Sequence, residues 1–117
     1  MDAEKFVDGV REVVMAAAVK DTVCILENPP GRRPAPELLA LSQWYRGLAA
    51  DDRDMVRRAL AEASHAAVFG LFAVLDGVRR VSDDRSGELK LWYEAPEGRT
   101  LLNGDLHDLL NSECWHG

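Results

Sequence analysis

Apolar residues recur at helical spacing through the first part of the chain. Four of them follow one another at steps of four, three and four positions: Phe6, Val10, Val13 and Ala17. This is the 3.6-residue period of an amphipathic helix. The prolines after Asn28 cannot donate backbone hydrogen bonds within a helix. The pattern therefore predicts a first helix over residues 3–27 and a stiff connector over 28–36.

The second helix is predicted over residues 35–47, because Pro36 suits the first position of a helix. Trp44 is expected in the core, since large aromatic residues at helical spacing usually pack. Asp51 followed by Asp54 is typical of an N-cap with an acidic third residue. A third helix should therefore begin at Asp51.

This third helix carries a long apolar seam. Its members step by three and four positions: Val56, Leu60, Ala63, Ala67, Leu71, Val74 and Val78. Residues 66–75 are apolar all round, which is typical of a helix buried on every side. We expect this helix at the centre with the others wrapped on it. Gly77 is expected either to cap it in a left-handed conformation or to allow close packing.

The period changes after a polar cluster at residues 82–87. Residues 88–93 begin by alternating polar with apolar, as a half-buried strand does, with Trp92 outward and Leu89, Leu91 and Tyr93 inward. A turn over 95–98 and a return strand over 99–102 complete a predicted hairpin. A two-stranded ribbon is marginal alone, so it should lie on the helices or pair with the ribbon of a second copy.

The last predicted element is a short helix over residues 105–111, with Asp105 as its N-cap and Leu106, Leu109 and Leu110 on its inner side. The expected fold is α+β and predominantly helical: three long helices packed together, then a C-terminal β-hairpin and a short terminal helix. A chain of 117 residues suits one domain, with the helical part at about 3–81 and the rest at about 88–111.

Composition narrows the class of protein. An apolar content of 47% is too high for a disordered chain. The acidic N-terminus and a longest uncharged apolar run of ten residues, against the roughly 20 that a bilayer span requires, favour a cytoplasmic protein without a membrane segment. The two cysteines lie ninety positions apart and are expected to be free thiols.

Charge is concentrated at the C-terminal end. Residues 1–81 carry 12 acidic and 11 basic side chains, whereas residues 82–117 carry 8 acidic and 3 basic ones. Nucleic-acid binding needs a basic stripe, which is missing, so no nucleic-acid partner is expected. A basic protein partner would suit this charge.

No sequence motif of a known enzyme class is present, and no cofactor is expected. His65 and Asp76 would share a helix face, but eleven residues separate them by roughly 16 Å, too far for a dyad. Asp105, His107 and Asp108 form the best polar constellation, one that could serve acid-base chemistry or a cation. A capped helix start explains the same residues.

A zinc site is a further possibility, with His107, Cys114 and His116 as ligands and Glu113 or Asp105 as the fourth. Two of these ligands lie within four residues of the chain end, where fraying is usual.

The preferred hypothesis is a non-catalytic interaction or regulatory module, for example an immunity-type protein, that docks a basic protein through its C-terminal part. Its candidate partner-binding residues are Trp92, Asp105, His107, Asp108, Glu113 and Trp115. Two alternatives stay open. One is a small enzyme or metal-dependent hydrolase centred on His107, and the other is a self-associating structural protein, which includes a homodimer.

Overall fold

The computed structural model describes residues 1–84 and 86–112. The helices are α1 (Ala3–Val10), a π-helical segment (Arg11–Ala16), α2 (Ala17–Glu27), α3 (Pro36–Arg46), α4 (Ala50–Leu75) and α5 (Leu106–Asn111). The strands are β1 (Trp92–Ala95) and β2 (Gly98–Leu101). The predicted mostly helical fold with a C-terminal hairpin and a short final helix is confirmed.

The first three helical pieces run on without a break, so the predicted first helix is confirmed. Its inner face is confirmed only in part, because Phe6 and Val10 pack on the core as predicted but Val13 does not. Val7 and Met15 are buried, while Val13 and Val14 are exposed. Eight residues of regular α-helix would rotate Met15 by about 80° from the direction of Val7. The π segment between them has wider turns, which bring the two side chains back to one face.

Helix α3 folds back on α2. Pro36 occupies its first position as predicted, and the fully buried Ser42 hydroxyl donates a 2.6 Å hydrogen bond to the carbonyl of Leu26 near the end of α2. Tyr45 is also fully buried. The prediction that Trp44 is core is wrong: its side chain is 54% exposed, because the inner face of α3 runs through its neighbour Tyr45.

Helix α4 starts earlier and is less buried than the sequence indicated. It begins at Ala50 after Ala49, and no side chain caps it, so the predicted Asp51 cap is wrong. Only Phe72 and Ala73 are buried along it. The expectation of a central helix wrapped on all sides is therefore wrong, because α4 packs along one side only.

Of the two roles predicted for Gly77, the structure confirms the left-handed cap at the end of α4. Gly77 adopts φ of 80°, and the amide of Val78 donates to the carbonyl of Ala73 at 2.9 Å. This left-handed closure is the glycine C-cap of an α-helix. It reverses the chain so that the segment after Gly77 returns along α4.

Two apolar clusters hold the helices together. The larger one joins α5 to the N-terminal helix and the C-terminal half of α4, and its buried members are Val7, Met15, Phe72, Leu106 and Leu110. The smaller one joins α2 and α3 through Val23, Leu26 and Tyr45, with Leu60 of α4 packed against it.

The hairpin is antiparallel, with Trp92 opposite Leu101 and Ala95 opposite Gly98 around the predicted Pro96-Glu97 turn. Its first strand begins at Trp92, later than predicted, because residues 88–91 form no ladder. Trp92 is exposed as predicted, but the inward orientation of Tyr93 and Leu89 is wrong, since both are exposed. The ribbon therefore has apolar side chains in contact with solvent.

Candidate functional site

The structure describes four of the six site residues predicted from sequence. His107 and Asp108 lie in α5, with Asp105 just before it, and Trp92 opens β1. Glu113 and Trp115, together with the proposed zinc ligands Cys114 and His116, lie outside the described residues. Among the described residues no three His, Cys, Asp or Glu side chains are arranged to hold a metal ion.

A short polar contact joins His107 to Asp76, a residue at the end of α4. The Nδ1 atom of His107 lies 2.5 Å from Oδ2 of Asp76, whose side chain is fully buried. On the other side of the ring, Nε2 lies 3.5 Å from a carboxylate oxygen of Asp108, which is 76% exposed. The imidazole is thus held between one buried carboxylate and one solvated carboxylate.

Asp76 has a second task at the start of α5. Its Oδ1 accepts a 2.6 Å hydrogen bond from the amide of Gly104, and its Oδ2 accepts one of 2.9 Å from the amide of His107. Neither amide has a partner within the helix. Accepting hydrogen bonds from such amides is the usual role of an N-cap residue. The predicted cap by Asp105 is wrong, since Asp105 makes no side-chain cap bond and Asp76 replaces it.

Arg11 satisfies the opposite end of α5. Its guanidinium donates 2.8 Å hydrogen bonds to the carbonyls of Leu109 and Leu110, and it also pairs with Asp8 at 2.8 Å. A negative charge at the N-terminus and a positive one at the C-terminus both complement the helix dipole. The short helix is therefore fixed at both ends by side chains from other helices.

The charge states of His107 and Asp76 depend on each other. The hydrogen bond to Asp76 raises the pKa of His107 above its ordinary 6.5; burial opposes this shift and the nearby Asp108 adds to it. Burial raises the pKa of Asp76, but hydrogen bonds from His107 and Gly104 outweigh that effect and bring the pKa below 3.8. Near pH 6 the pair is therefore an imidazolium held by a carboxylate.

One aromatic ring contacts the imidazole. Phe69 and His107 meet in an edge arrangement with centroids 6.0 Å apart, and His65 stacks on Phe69 at 6.4 Å. The side chain of His107 is 15% exposed. His65 thus packs beside phenylalanine as a partly buried residue.

Asn103 ties the base of the hairpin to the helices. Its side-chain oxygen accepts a 2.7 Å hydrogen bond from the amide of Leu91, and its amide nitrogen donates to the carbonyls of Leu75 and Leu89 at 2.5 and 2.7 Å. The hairpin is thereby anchored beside Asp76, at the C-terminal end of α4.

Beyond that base the hairpin projects its side chains into solvent. Trp92 and Tyr93 are each 39% exposed, and Leu101 is exposed as well. The guanidinium of Arg99 lies 4.4 Å from the Trp92 ring centroid, a cation–π contact, and it also pairs with Glu94 at 3.8 Å. One end of the molecule thus combines exposed aromatic rings with the exposed carboxylates of Asp105 and Asp108.

A groove of about 720 Å³ runs between the end of α4 and the hairpin base. Arg79, Arg80 and Lys90 line it together with Glu88 and Asp84. The groove carries both signs of charge. Asp76 is part of its lining, whereas His107 is not.

Sequence reasoning weighed Asp76 only as a partner of His65, and it missed the contacts that Asp76 and Arg11 make with α5 because both act across long separations in the chain. A usable signal was the Asp-Gly pair where α4 was predicted to end, because such a pair places a carboxylate beside a sharp reversal.

Helix α4 is the one helix in the described residues with enough length and apolar content to cross a bilayer, a criterion that many core helices also meet. Comparisons of the chain with family models, curated proteins and solved structures give no match.

Proposed function

We propose that this chain is a non-catalytic protein-interaction module that docks a basic partner surface through its hairpin and the carboxylates at the start of α5. The single observation that carries the proposal is the uncovered hairpin, whose eight residues include exposed Trp92, Tyr93 and Leu101. A two-stranded ribbon of this length has little stability in water. A partner that covers these rings would bury apolar area and stabilise the ribbon at the same time.

The charge of the same end defines the partner. Among residues 82–112, excluding Arg85, seven side chains are acidic and two are basic. Charged groups at the rim of an interface mainly accelerate encounter and reject partners of like charge. The aromatic residues are the type that anchors interfaces. A basic surface with an apolar recess is therefore the expected complement.

The test is affinity capture from the source cells, compared across three forms of the protein at low and high salt. The first form is unmodified, the second carries Trp92→Ala with Asp105→Lys and Asp108→Lys, and the third carries Asp51→Lys with Asp52→Lys. The third form reverses two exposed acids on α4 and so matches the charge change. We expect a basic protein that is retained by the first and third forms and lost from the second. Equal capture by all three forms, or none by the unmodified protein, contradicts the proposal.

A second candidate is acid-base catalysis, favoured by the 2.5 Å contact between His107 and Asp76. Carboxylates that orient histidines in this way occur in catalytic sites. Here the same carboxylate also caps α5, and Nε2 faces Asp108 rather than a nucleophile. Hydrolysis of p-nitrophenyl acetate or phosphate that is lost in His107→Gln but kept in Asp108→Asn would support catalysis over docking.

A further inference from the structure

The base of the hairpin holds the one asparagine of this chain that is followed by glycine. The three asparagines precede Pro29, Gly104 and Ser112. A backbone amide nitrogen can attack the side-chain carbonyl carbon of the asparagine before it. Glycine reacts fastest, because it has no side chain to obstruct the approach. Asn103 is therefore the most reactive asparagine of the unfolded chain, whereas Asn28 cannot react in this way because proline has no N–H.

The reaction is a cyclisation that releases ammonia. The nitrogen of Gly104 forms a bond to Cγ of Asn103, and the bond from Cγ to the side-chain nitrogen breaks. The proton of the Gly104 amide passes through solvent to the departing nitrogen, which leaves as ammonia. Water then opens the five-membered succinimide ring at either of its carbonyls. The product is aspartate or isoaspartate at position 103, and water is the only co-reactant.

In the folded protein both reacting groups are held by hydrogen bonds. The amide of Gly104 donates at 2.6 Å to Oδ1 of Asp76, whose side chain is fully buried. The side-chain nitrogen of Asn103 donates to the carbonyls of Leu75 and Leu89 at 2.5 and 2.7 Å. The nitrogen of a succinimide carries no hydrogen, and the departing ammonia leaves its two acceptors. Cyclisation therefore breaks all three bonds, so the closed hairpin base opposes it.

We propose that Asn103 is a covalent modification site that reacts when the base of the hairpin opens. The strands are largely exposed, and residues 88–91, which lead into the hairpin, form no ladder. Segments of this kind open locally, without unfolding of the whole domain. Opening releases the amide of Gly104 from Asp76 and the side chain of Asn103 from its two carbonyls, and the attack can then proceed.

Conversion prevents the base from closing again. Aspartate has no N–H to donate, so the carbonyls of Leu75 and Leu89 face a carboxylate instead of an amide. Isoaspartate also adds one atom to the main chain between Leu102 and Leu106, which are both buried. The modified chain therefore keeps a detached hairpin. The inference does not depend on the docking function proposed above, since the reaction needs no partner.

The first test is the rate of conversion at position 103 in the full chain, measured at pH 8 by peptide mapping and mass spectrometry. Four samples are compared: the unmodified protein in buffer, the same protein in urea, Asp76→Ala in buffer and Ser42→Ala in buffer. Ser42→Ala is the matched control, because it removes a buried hydrogen bond between α2 and α3 and leaves the hairpin base intact. Circular dichroism establishes that both variants are folded in buffer.

We expect urea to raise the rate at least tenfold over the folded protein. A tenfold difference corresponds to about 1.4 kcal/mol, roughly what one of the three hydrogen bonds contributes. Asp76→Ala should raise the rate at least threefold in buffer, whereas Ser42→Ala should leave it unchanged. Asn28 should stay unmodified in every sample. Equal rates in buffer and urea, or equal acceleration by the two variants, overturn the proposal.

The second test uses the converted protein itself and needs no substitution. Its additional negative charge separates it from the unmodified chain by anion exchange. The amide of Leu102 donates to the carbonyl of Leu91 in the closed fold, and its hydrogen exchange should become faster after conversion, whereas exchange in α2 should not change. Asn103→Asp should lower Tm by about 5 °C or more, against about 2 °C or less for Asn111→Asp at an exposed asparagine. Unchanged exchange at Leu102 also overturns the proposal.

Discussion

Removing the carboxylate of Asp76 is the most informative single perturbation of this fold. In Asp76→Ala the imidazole of His107 and the amides of Gly104 and His107 lose their common acceptor. Breaking a buried charge pair by removing one partner costs about 3–5 kcal/mol. Water can reach part of this site, because His107 is 15% exposed and Gly104 is exposed. We therefore expect a loss of about 3 kcal/mol in the free energy of unfolding.

The partner substitution should cost less. His107→Ala leaves Asp76 with its hydrogen bond from Gly104 and the one from the backbone amide at position 107, so about 1–2 kcal/mol is expected. Asp108→Ala removes a solvated carboxylate at 3.5 Å and should cost below about 1 kcal/mol. The double variant of Asp76 and His107 should be less destabilised than the sum of the two single variants, since both lose the same bond.

Urea unfolding at pH 6, followed by circular dichroism, measures all four variants under conditions where both groups are charged. The predicted loss for Asp76→Ala corresponds to a fall in Tm of about 10–15 °C for a chain of this length. The reasoning is refuted if Asp76→Ala costs no more than Asp108→Ala, or if the substitutions at Asp76 and His107 are strictly additive.

Three other predictions concern the pH response and the backbone. The raised pKa of His107 means that its contribution to stability is complete below pH 6.5 and is lost as pH rises through the folded-state pKa; a Tm series from pH 5 to 9 should therefore fall more steeply for the unmodified protein than for His107→Gln. Gly77→Ala should lower the free energy of unfolding by about 1 kcal/mol, because φ is 80° at this position. Gly9→Ala should raise it by about 0.5–1 kcal/mol in the same urea assay, because Gly9 lies in ordinary helix with open space around it. Ser42→Ala should cost about 1–3 kcal/mol, since the carbonyl of Leu26 loses its buried donor, and unchanged urea midpoints would contradict this.

Most boundaries of the helices and strands could be predicted from local signals in the sequence. Pro36 at the start of α3, Gly77 at the end of α4 and the Pro96-Glu97 turn each act within a few residues, so their effects are readable without the fold. The N-terminal helix was predictable for the same reason. Its inner face was predictable only at Phe6 and Val10, because the π segment that follows changes the rotation between Val7 and Met15.

The candidate site was predictable only in part. His107 and Asp108 drew attention as neighbours on one short helix, but the contact that orients the imidazole comes from Asp76, 31 positions away. The dyad of Asp76 with His65 was correctly excluded by distance along one helix. The chain reversal at Gly77 then brings a different histidine to the same carboxylate, and no local pattern specifies which one.

The expectation that α4 is buried on all sides was wrong for a related reason. A run of apolar residues shows that a helix face avoids water, but it does not show whether the same chain or another molecule covers that face. Ala59, Ala63, Ala66 and Ala67 of α4 remain exposed, whereas Ala73 is buried. The run therefore does not by itself locate the core of this chain.

The polar residues around α5 mainly hold the two ends of this helix in place. A helix of six residues is too short to hold its shape in isolation. It is held by buried Leu106 and Leu110, by Asp76 at its N-terminus and by Arg11 at its C-terminus. The conspicuous polar contacts therefore already have a structural task, and substituting them should destabilise the fold before it alters any reaction. The exposed rings of the hairpin, Trp92 and Tyr93, lie outside these contacts, and the proposed docking function rests on them.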